Sequence, residues 1–500
     1  MILLLAMQLG FVGSQSCQGC HPNIYRSYKA TPMAQSSGKV EGSLPSGSFR
    51  HAASGMRYRI SGSAVEFERS EGIHGRREIQ YFIGSGAAGR SFLTQHNGYL
   101  FQAPVTWYSQ AQRWDISPGQ EHGRRMRWDR PIEPNCLYCH ASRPRAISGS
   151  QNRYGSPPFE EDGIACERCH GPGQAHTGGG GPIVNPSKLA PALRDDVCAQ
   201  CHLTGEARVN RPGKQLALYR PGEALRDSVS FFVFEDDRPA TLKATSHVEK
   251  LARSRCKISS GDRLWCGSCH DPHEVPSTEN RVAWFRTKCL ACHDDSVEPA
   301  SHGADCIVCH MPRAPVADGG HGVLTDHSIP RSRDNPVAVL EKAVHRLAPW
   351  PGSHSDTRTL GLAYAELALT AGEPFYEAEA FRLLLEALPE SGSDPELLTR
   401  LGWLHHKKGQ FERAATFYER ALAIRPGDVV AEVNLGTIYG QGGRLADAIR
   451  LWQSALQRNP ALTEAARNLV TAWTALGEEE KAKALSKTLL SIDPDLDGTP

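Results

Sequence analysis

Fourteen of the fifteen cysteines in this 500-residue chain lie in one repeated arrangement, C-x-x-C-H. We number the seven motifs in chain order: motif 1 is Cys17, Cys20 and His21; motif 2 is Cys136, Cys139 and His140; motif 3 is Cys166, Cys169 and His170; motif 4 is Cys198, Cys201 and His202; motif 5 is Cys266, Cys269 and His270; motif 6 is Cys289, Cys292 and His293; motif 7 is Cys306, Cys309 and His310. The cysteines of such a motif can add to the vinyl groups of haem as thioethers, and the histidine then binds the iron. Zinc also binds C-x-x-C pairs, but a histidine after every second cysteine favours haem. The spacing therefore predicts seven c-type haems.

The second axial position of each iron needs a ligand or stays open. Residues 17–330 contain ten histidines outside the motifs, which favours irons held between two histidines: His51, His74, His96, His122, His176, His247, His273, His302, His321 and His327. His273 follows His270 by three residues and could hardly reach the opposite side of the same iron, so it would serve a neighbouring haem. The same reasoning applies less strictly to His176. For His74, His96 and His122 a surface position is the simpler interpretation.

Cys256 is the one cysteine outside the motifs. An odd cysteine can be a buried thiol, a redox-active thiol or an unusual ligand. We expect a buried thiol, because free cysteine behaves as a small apolar side chain.

Composition divides the chain into four zones. Residues 1–16 are apolar and resemble the hydrophobic part of a signal peptide, with a buried N-terminal helix as the alternative. Residues 17–330 hold every motif and form the predicted heptahaem cytochrome c domain. Residues 331–355 are proline-rich and are predicted to be a linker. Residues 356–495 lack cysteine and are predicted to be helical.

Two kinds of secondary structure are expected within the heptahaem domain. Apolar and polar residues alternate around Tyr58, Phe67 and Tyr81, at the period of a strand, which predicts a small β-rich insertion over about 50–115. The rest of the domain is predicted to be turn-rich and mainly α, because haems would supply much of its core.

The C-terminal zone repeats every 34 residues. Four columns share this period: Leu401, Leu435 and Leu469; Gly409, Gly443 and Gly477; Ala414, Ala448 and Ala482; Pro426, Pro460 and Pro494. This is the period of the tetratricopeptide repeat (TPR), a helix pair with glycine at its turn and proline after its second helix. A weaker unit precedes these, at about 358–390. We therefore predict an all-α TPR solenoid over 356–495, which stacking of neighbouring pairs stabilises.

Charge and hydropathy exclude two classes of protein. Lysine and arginine number 56 against 55 acidic residues, and no basic stripe is present, which excludes a nucleic-acid-binding protein. After the N-terminal segment no stretch is apolar enough to span a bilayer. We expect an exported bacterial protein, periplasmic or otherwise extracytoplasmic, with no transmembrane span in the mature chain.

Several further segments carry a family resemblance. They are Y-x-S-Y-x-A-T-P-M-A ending at residue 34, F-R-H ending at 51, I-G-S-G at 83–86, W-Y at 107–108, G-I-A-C-E-R-C-H-G-P-G at 163–173, N-P-S-K-L at 185–189, C-G-S-C-H-D-P-H at 266–273, C-H-M-P at 309–312 and T-D-H at 325–327. Over residues 17–330 the chain resembles bacterial multihaem cytochromes with C-terminal TPRs. It is more distantly similar to the superfamily of hydroxylamine oxidoreductase and the octahaem and pentahaem nitrite reductases.

The resemblance implies haems packed in stacked and perpendicular pairs. In that superfamily a histidine downstream of the first motif often binds an iron, and here Met33 stands at the comparable place, which suggests one His/Met haem. The second ligands that the resemblance favours are Met33, His51, His176, His247, His273, His321 and His327. The chain lacks the C-x-x-C-K motif of the pentahaem nitrite reductases, and no residue matches the cross-linking tyrosine of hydroxylamine oxidoreductase.

Three functions fit these features. The first is electron transfer through seven haems, from a redox partner protein to an acceptor, with the TPRs docking a partner protein or peptide. The alternative is an oxidoreductase that acts on a small nitrogen or sulfur compound at one open-site haem. The third, which we favour least, is a TPR scaffold whose haems are structural.

Overall fold

The computed structural model describes residues 10–69, 72–235, 242–294, 305–331 and 344–495. The first nine residues of the predicted signal segment, His302, and residues 332–343 of the predicted linker lie outside these ranges. Within them the chain forms a β region, a series of short elements that carries the motifs, and a C-terminal array of paired helices.

The β region consists of two antiparallel sheets. The five-stranded sheet has the order β1 (Ser37–Lys39), β6 (Tyr81–Ile83), β7 (Arg90–His96), β8 (Tyr99–Tyr108) and β9 (Arg113–Ile116). The four-stranded sheet has the order β2 (Gly47–Arg50), β3 (Arg57–Ser61), β4 (Ala64–Arg69) and β5 (Ile73–Glu78). In β3, Tyr58 and Ile60 are buried while Arg57 and Arg59 are exposed, as the alternation predicts. The buried faces share one core that also contains Phe67, Phe92, Val105, Trp114 and Trp128.

Strand structure extends beyond the predicted insertion of 50–115. It begins at Ser37 and recurs between and after the motifs, in β10 (Ser142–Ala146), β11 (Tyr154–Glu161), β12 (Ala207–Asn210), β13 (Val229–Phe234), β14 (Arg313–Pro315), β15 (Val323–Thr325) and β16 (Leu347–Pro349). The expectation of a mainly α domain with a small insertion therefore understates the strands. The later strands form small sheets of two or three strands. Too few apolar and polar residues alternate in each strand for the sequence to predict it.

Short helices make up most of the remaining regular secondary structure in the described part of the motif region. They are α1 (Pro22–Lys29), α2 (Pro134–His140), α3 (Glu167–His170), α4 (Gln174–Gly179), α5 (Pro191–His202), α6 (His247–Arg253), α7 (Arg255–Ser260), α8 (Cys266–Cys269), α9 (Arg281–Leu290) and α10 (Cys306–His310). Proline at the first position of α2 and α5 suits a helix start, because that position needs no backbone donor.

The repeat zone forms the predicted helical solenoid. Its helices are α11 (Thr357–Ala371), α12 (Pro374–Ser391), α13 (Pro395–Lys407), α14 (Phe411–Ile424), α15 (Val429–Gln441), α16 (Leu445–Arg458), α17 (Thr463–Ala475) and α18 (Glu479–Ile492). The repeated Leu and Ala columns are buried, and Gly409 and Gly443 adopt left-handed backbone angles (φ 70° and 79°) at the turns. Among the described helices none is both long and apolar enough to cross a membrane.

Both ends of the helical array pack on the rest of the chain. At its start, α11 shares a core with Phe232 of β13 and Leu347 of β16. The described part of the predicted linker, residues 344–355, contains β16, which is paired with β13. At the far end, Ile492 and Ala461 pack against Phe101 of β8. The solenoid is thus anchored at two separate places on the motif region.

Candidate haem-binding site

Short helices position most of the motif cysteines. Helices α2, α3, α5 and α10 end on the histidines of motifs 2, 3, 4 and 7, and α8 runs between the two cysteines of motif 5. Residues three apart in a helix lie on one face, so each helical C-x-x-C pair presents two thiols to one side. This is the arrangement that two thioether bonds to one haem require.

Thiols of different motifs lie close enough together for one to shift the pKa of the other. The pairs are Cys17 with Cys166, Cys139 with Cys201, Cys198 with Cys266, and Cys289 with Cys306. Over the described ranges, no three or more Cys, His, Asp or Glu side chains converge as ligands for a bare metal ion. Pairs drawn from separate motifs fit haems attached side by side better than they fit a zinc site, which gathers four ligands.

Two buried polar residues inside the motifs tie neighbouring motifs together. The carboxylate of Glu167, in motif 3, accepts hydrogen bonds from the backbone N–H groups of Val12 and Gly13 at 2.9 and 2.8 Å. Gln200, in motif 4, accepts from the Tyr138 hydroxyl of motif 2 at 2.6 Å and donates to the Arg168 carbonyl of motif 3 at 3.2 Å.

Glu167 and Gln200 were not predicted as site residues, because the two variable positions of C-x-x-C-H serve only as spacers in the motif. A glutamate or glutamine between the two cysteines is the signal that the sequence offers for them. The backbone of residues 12–14 donates to the carboxylates of Glu167 and Glu161, which packs this segment beside motif 3.

These contacts place the motifs in a connected series. Motif 1 contacts motif 3, motif 3 contacts motif 4, and motif 4 contacts motif 5. The Phe285 ring, just before motif 6, lies 5.7 Å from the His270 ring of motif 5, and motifs 6 and 7 meet through their cysteines. Motif 2 contacts both motif 3 and motif 4, because its Tyr138 ring lies 4.1 Å below the Arg168 guanidinium and its hydroxyl donates to Gln200.

Four histidines outside the motifs have their rings against motif histidines. The ring centres of His21 and His176 are 6.5 Å apart, those of His170 and His273 are 5.9 Å apart, and those of His270 and His327 are 6.2 Å apart. His202 and His247 are closer, at 5.0 Å, with perpendicular rings. His247 also lies 4.8 Å from His327, so imidazoles of motifs 4 and 5 share one cluster.

The protonation state of these imidazoles suits iron binding. Burial lowers the pKa of His202, His270 and His327, and burial together with the neighbouring imidazoles lowers the pKa of His247 to about 3. A neutral imidazole has the free lone pair that a metal needs. His170 donates from Nδ1 to the Val184 carbonyl at 2.7 Å, which leaves its Nε2 for iron.

Two of the predicted second ligands lie elsewhere. Both ring nitrogens of His51 are hydrogen-bonded, Nδ1 to Ser54 Oγ at 2.8 Å and Nε2 to the Glu121 carbonyl at 2.9 Å. His321 is paired with Asp115, its Nε2 lying 2.9 Å from Oδ2. Neither ring faces a motif histidine among the described ring contacts. In this arrangement no nitrogen of His51 is available to an iron, because the β region holds the ring by both ends.

Met33 and Cys256 lie close to motifs. Ser36 Oγ is 2.8 Å from the Met33 carbonyl and 2.8 Å from the His140 carbonyl, which places the Met33 backbone beside motif 2.

Cys256 is half-buried and follows Arg255 in α7. It lies close enough to Cys269 of motif 5 and Cys289 of motif 6 to raise the pKa of both thiols, to which burial contributes most.

Both parts of the chain match known proteins. Residues 105–171 match the family of cytochrome c554 and c-prime. Residues 395–428 and 433–496 match tetratricopeptide repeat families. The multiheme cytochrome MtrA of Shewanella baltica is 24% identical over 210 residues, which are 39% of this chain and 57% of that protein. Together these matches support a multihaem c-type cytochrome with tetratricopeptide repeats.

Other similarities concern the tetratricopeptide repeats. An inactive TPR repeat-containing thioredoxin of Arabidopsis thaliana is 31% identical over 94 residues, 19% of this chain and 14% of that protein. The chain thus spans less than two thirds of the length of either curated relative. A solved structure of MamA from Desulfovibrio magneticus has 24% identity and a TM-score of 0.25, covering 28% of this chain and 77% of that one.

Proposed function

We propose that this protein carries electrons through seven covalently bound c-type haems outside the cytoplasm, while its TPRs dock a partner protein. The observation that carries the proposal is the series of contacts that joins all seven motifs. Haem supplies a one-electron iron couple, and such couples exchange electrons efficiently only when they are closely spaced. The chain supplies the spacing by placing cysteines of neighbouring motifs against one another.

The ends of the series are the expected places of entry and exit. The two exposed motif cysteines, Cys20 and Cys292, belong to motifs 1 and 6, near opposite ends of the series. The other motif cysteines, including both of motif 7, are half-buried. We infer that a reduced carrier protein docks at one end and an oxidised one at the other.

The repeats suit the role of a docking module. TPR solenoids present a concave surface to proteins or peptides, and this array is rigidly held because both of its ends pack on the motif region. A partner bound there would be kept at a fixed distance from the haem series.

Haem content is the first test. We expect the mature protein to carry seven covalent haems by intact mass and by pyridine haemochrome assay. Four or fewer haems in fully matured protein would contradict the proposal.

The order of the series gives a sharper test. Cys266→Ala with Cys269→Ala removes the haem of motif 5, through which the series reaches motifs 6 and 7, and should slow electron transfer between a reductant and an acceptor at opposite ends. The matched control, Cys136→Ala with Cys139→Ala, removes the haem of motif 2, which the direct contact between motifs 3 and 4 bypasses, and should leave that rate nearly unchanged. Equal slowing in both variants, each shown by mass to hold six haems, would contradict this order.

A second candidate function rests on motif histidines that no outside imidazole faces. Within the described ranges, neither His140 of motif 2 nor His293 of motif 6 has an imidazole from outside the motifs among its ring contacts. An iron there with an open position would allow an oxidoreductase acting on a small nitrogen or sulfur compound. Electron paramagnetic resonance (EPR) of the oxidised protein separates the two functions: a carrier gives low-spin haems only, whereas a catalyst gives one high-spin haem that responds to nitrite or hydroxylamine.

A further inference from the structure

Three pairs of imidazoles stand at the separation expected of two ligands to one iron. Metal–nitrogen bonds of about 2.0 Å on opposite sides of one ion put the two ring centres roughly 6 Å apart. The pairs His21 with His176, His170 with His273, and His270 with His327 lie at 6.5, 5.9 and 6.2 Å. The rings of the first two pairs are nearly parallel, with interplanar angles of 13° and 15°, and those of the third are tilted by 35°. In every pair the first histidine belongs to a motif and the second does not.

The non-motif member of each pair has its Nδ1 engaged by an oxygen. His176 Nδ1 lies 3.0 Å from the Gly181 carbonyl, and His327 Nδ1 lies 3.0 Å from the Thr325 carbonyl. His273 Nδ1 lies 3.3 Å from Asp271 Oδ1. A metal-binding histidine usually donates its other N–H to a carbonyl or carboxylate, which fixes the tautomer with Nε2 toward the metal. The three residues have this arrangement, and His51, whose Nε2 is bonded to Glu121, does not.

The position of each partner in the sequence follows one rule. His176 comes six residues after the histidine of motif 3, His273 comes three after that of motif 5, and His327 comes seventeen after that of motif 7. They face the histidines of motifs 1, 3 and 5 respectively. The segment that follows an odd-numbered motif therefore reaches back to the preceding odd-numbered motif.

We propose that axial ligation interlocks the odd-numbered motifs, with His176, His273 and His327 completing the irons of motifs 1, 3 and 5. This proposal rests on the seven-haem function and adds the pairing of ligands to haems. Its structural consequence is that the axial bonds to iron cross-link successive odd-numbered motifs. Each iron of the three joins two segments that are far apart in sequence, so the odd haems hold motifs 1, 3, 5 and 7 in register.

The test uses the full-length haem-loaded protein and His273→Ala. EPR of the oxidised protein should show one of seven haems converted from low spin to high spin, and added imidazole should restore low spin. The matched control is His321→Ala, which removes an exposed imidazole paired with Asp115 and should create no high-spin haem. A high-spin haem in the control, or none in His273→Ala, would overturn the proposal.

Combination with haem deletions identifies which iron lost its ligand. In protein lacking the motif 3 haem (Cys166→Ala with Cys169→Ala), His273→Ala should add no high-spin signal. In protein lacking the motif 5 haem (Cys266→Ala with Cys269→Ala), it should add one. The reverse pattern would contradict the pairing.

Two further measurements separate a wrong pairing from other failures. Should a deletion prevent maturation, His273→Met keeps a ligand, and it should raise one haem potential because thioether ligation favours the reduced iron. An unchanged redox titration in that variant would overturn the assignment. Failure of the proposed function itself is distinguished by mass, since wild-type protein would then lack the seven haems.

Discussion

Arg69 in strand β4 and Asp495, which follows the last helix, form an ion pair through two hydrogen bonds of 2.7 and 3.2 Å. The carboxylate of Asp495 is 2% exposed and also accepts the backbone N–H of Met126 at 2.6 Å. The pair joins the β region to the end of the TPR solenoid, 426 residues further along the chain.

Arg69→Ala should destabilise the protein strongly. It would leave the buried Asp495 carboxylate without its cation, which costs about 3–5 kcal/mol when one partner of a buried pair is removed. The control is Arg57→Ala, which removes the exposed pair with Glu68 and should cost no more than about 1 kcal/mol. Denaturant unfolding followed by far-UV circular dichroism compares the two, and equal midpoints would show that the interface does not depend on this pair.

Asp493 should make the protein less stable as pH rises toward neutrality. Burial, together with the nearby Asp129 carboxylate, raises the pKa of Asp493 to about 7. The unfolded chain releases this proton near pH 3.9, so between about pH 4 and 7 the folded state binds more protons and loses stability as pH increases. The charged or titratable groups around it are Tyr58, Arg77, Arg125, Asp129 and Asp495.

Asp493→Asn tests this effect. We expect the variant to match the wild type near pH 4 and to exceed it above pH 7, by up to about 4 kcal/mol if the whole shift is expressed. Asp447→Asn, at a half-buried carboxylate paired with Arg444 and Arg450, is the control and should leave the shape of the wild-type profile between pH 5 and 8 intact. Parallel stability profiles for Asp493→Asn and wild type from pH 4 to 8 would contradict the prediction.

Met33 is expected to bind the iron of motif 2. Its carbonyl and that of His140 are both 2.8 Å from Ser36 Oγ, so the two segments are adjacent. Met33→His should lower one haem potential, because thioether ligation raises the potential relative to histidine, and Met33→Ala should open one site. Met56→Leu, in the core of the β sheets, is the control and should change no potential. An identical redox titration in all three variants would mean that Met33 only packs.

The repeats alone are expected to fold but to be less stable than in the whole protein. Residues 356–495 hold all eight helices of the solenoid, and they lose the apolar contacts with Leu347 and Phe101. A segment of residues 344–495 keeps Leu347, whose N–H donates to the Tyr364 hydroxyl at 2.9 Å. We expect helical circular dichroism from both segments and a higher melting temperature for the longer one. A disordered spectrum from both would show that the solenoid depends on the haem region.

The local features of this protein follow from the sequence. Two cysteines and a histidine at fixed spacing suffice for haem attachment, whatever the surrounding fold. Each motif can therefore be recognised in the sequence independently of the others. The 34-residue period is equally direct, because each repeat contacts mainly its neighbours. The tetratricopeptide matches confirm the repeats, and the match of residues 105–171 to a cytochrome family supports c-type haem, while the number of haems stays a prediction.

Which histidine meets which motif was decided only by the tertiary structure. His51 and His176 look alike as non-motif histidines in the sequence, but the β region holds both nitrogens of His51, whereas the His176 ring lies 6.5 Å from that of His21, which is 155 residues earlier in the chain. Such pairings depend on where long, irregular connections bring the chain. The strands outside 50–115 escaped prediction for a related reason, since β13 gains stability from β16, more than a hundred residues away. The periodicity of apolar residues in a sequence indicates which face of a local element is buried. It carries no information on which distant segment that face contacts.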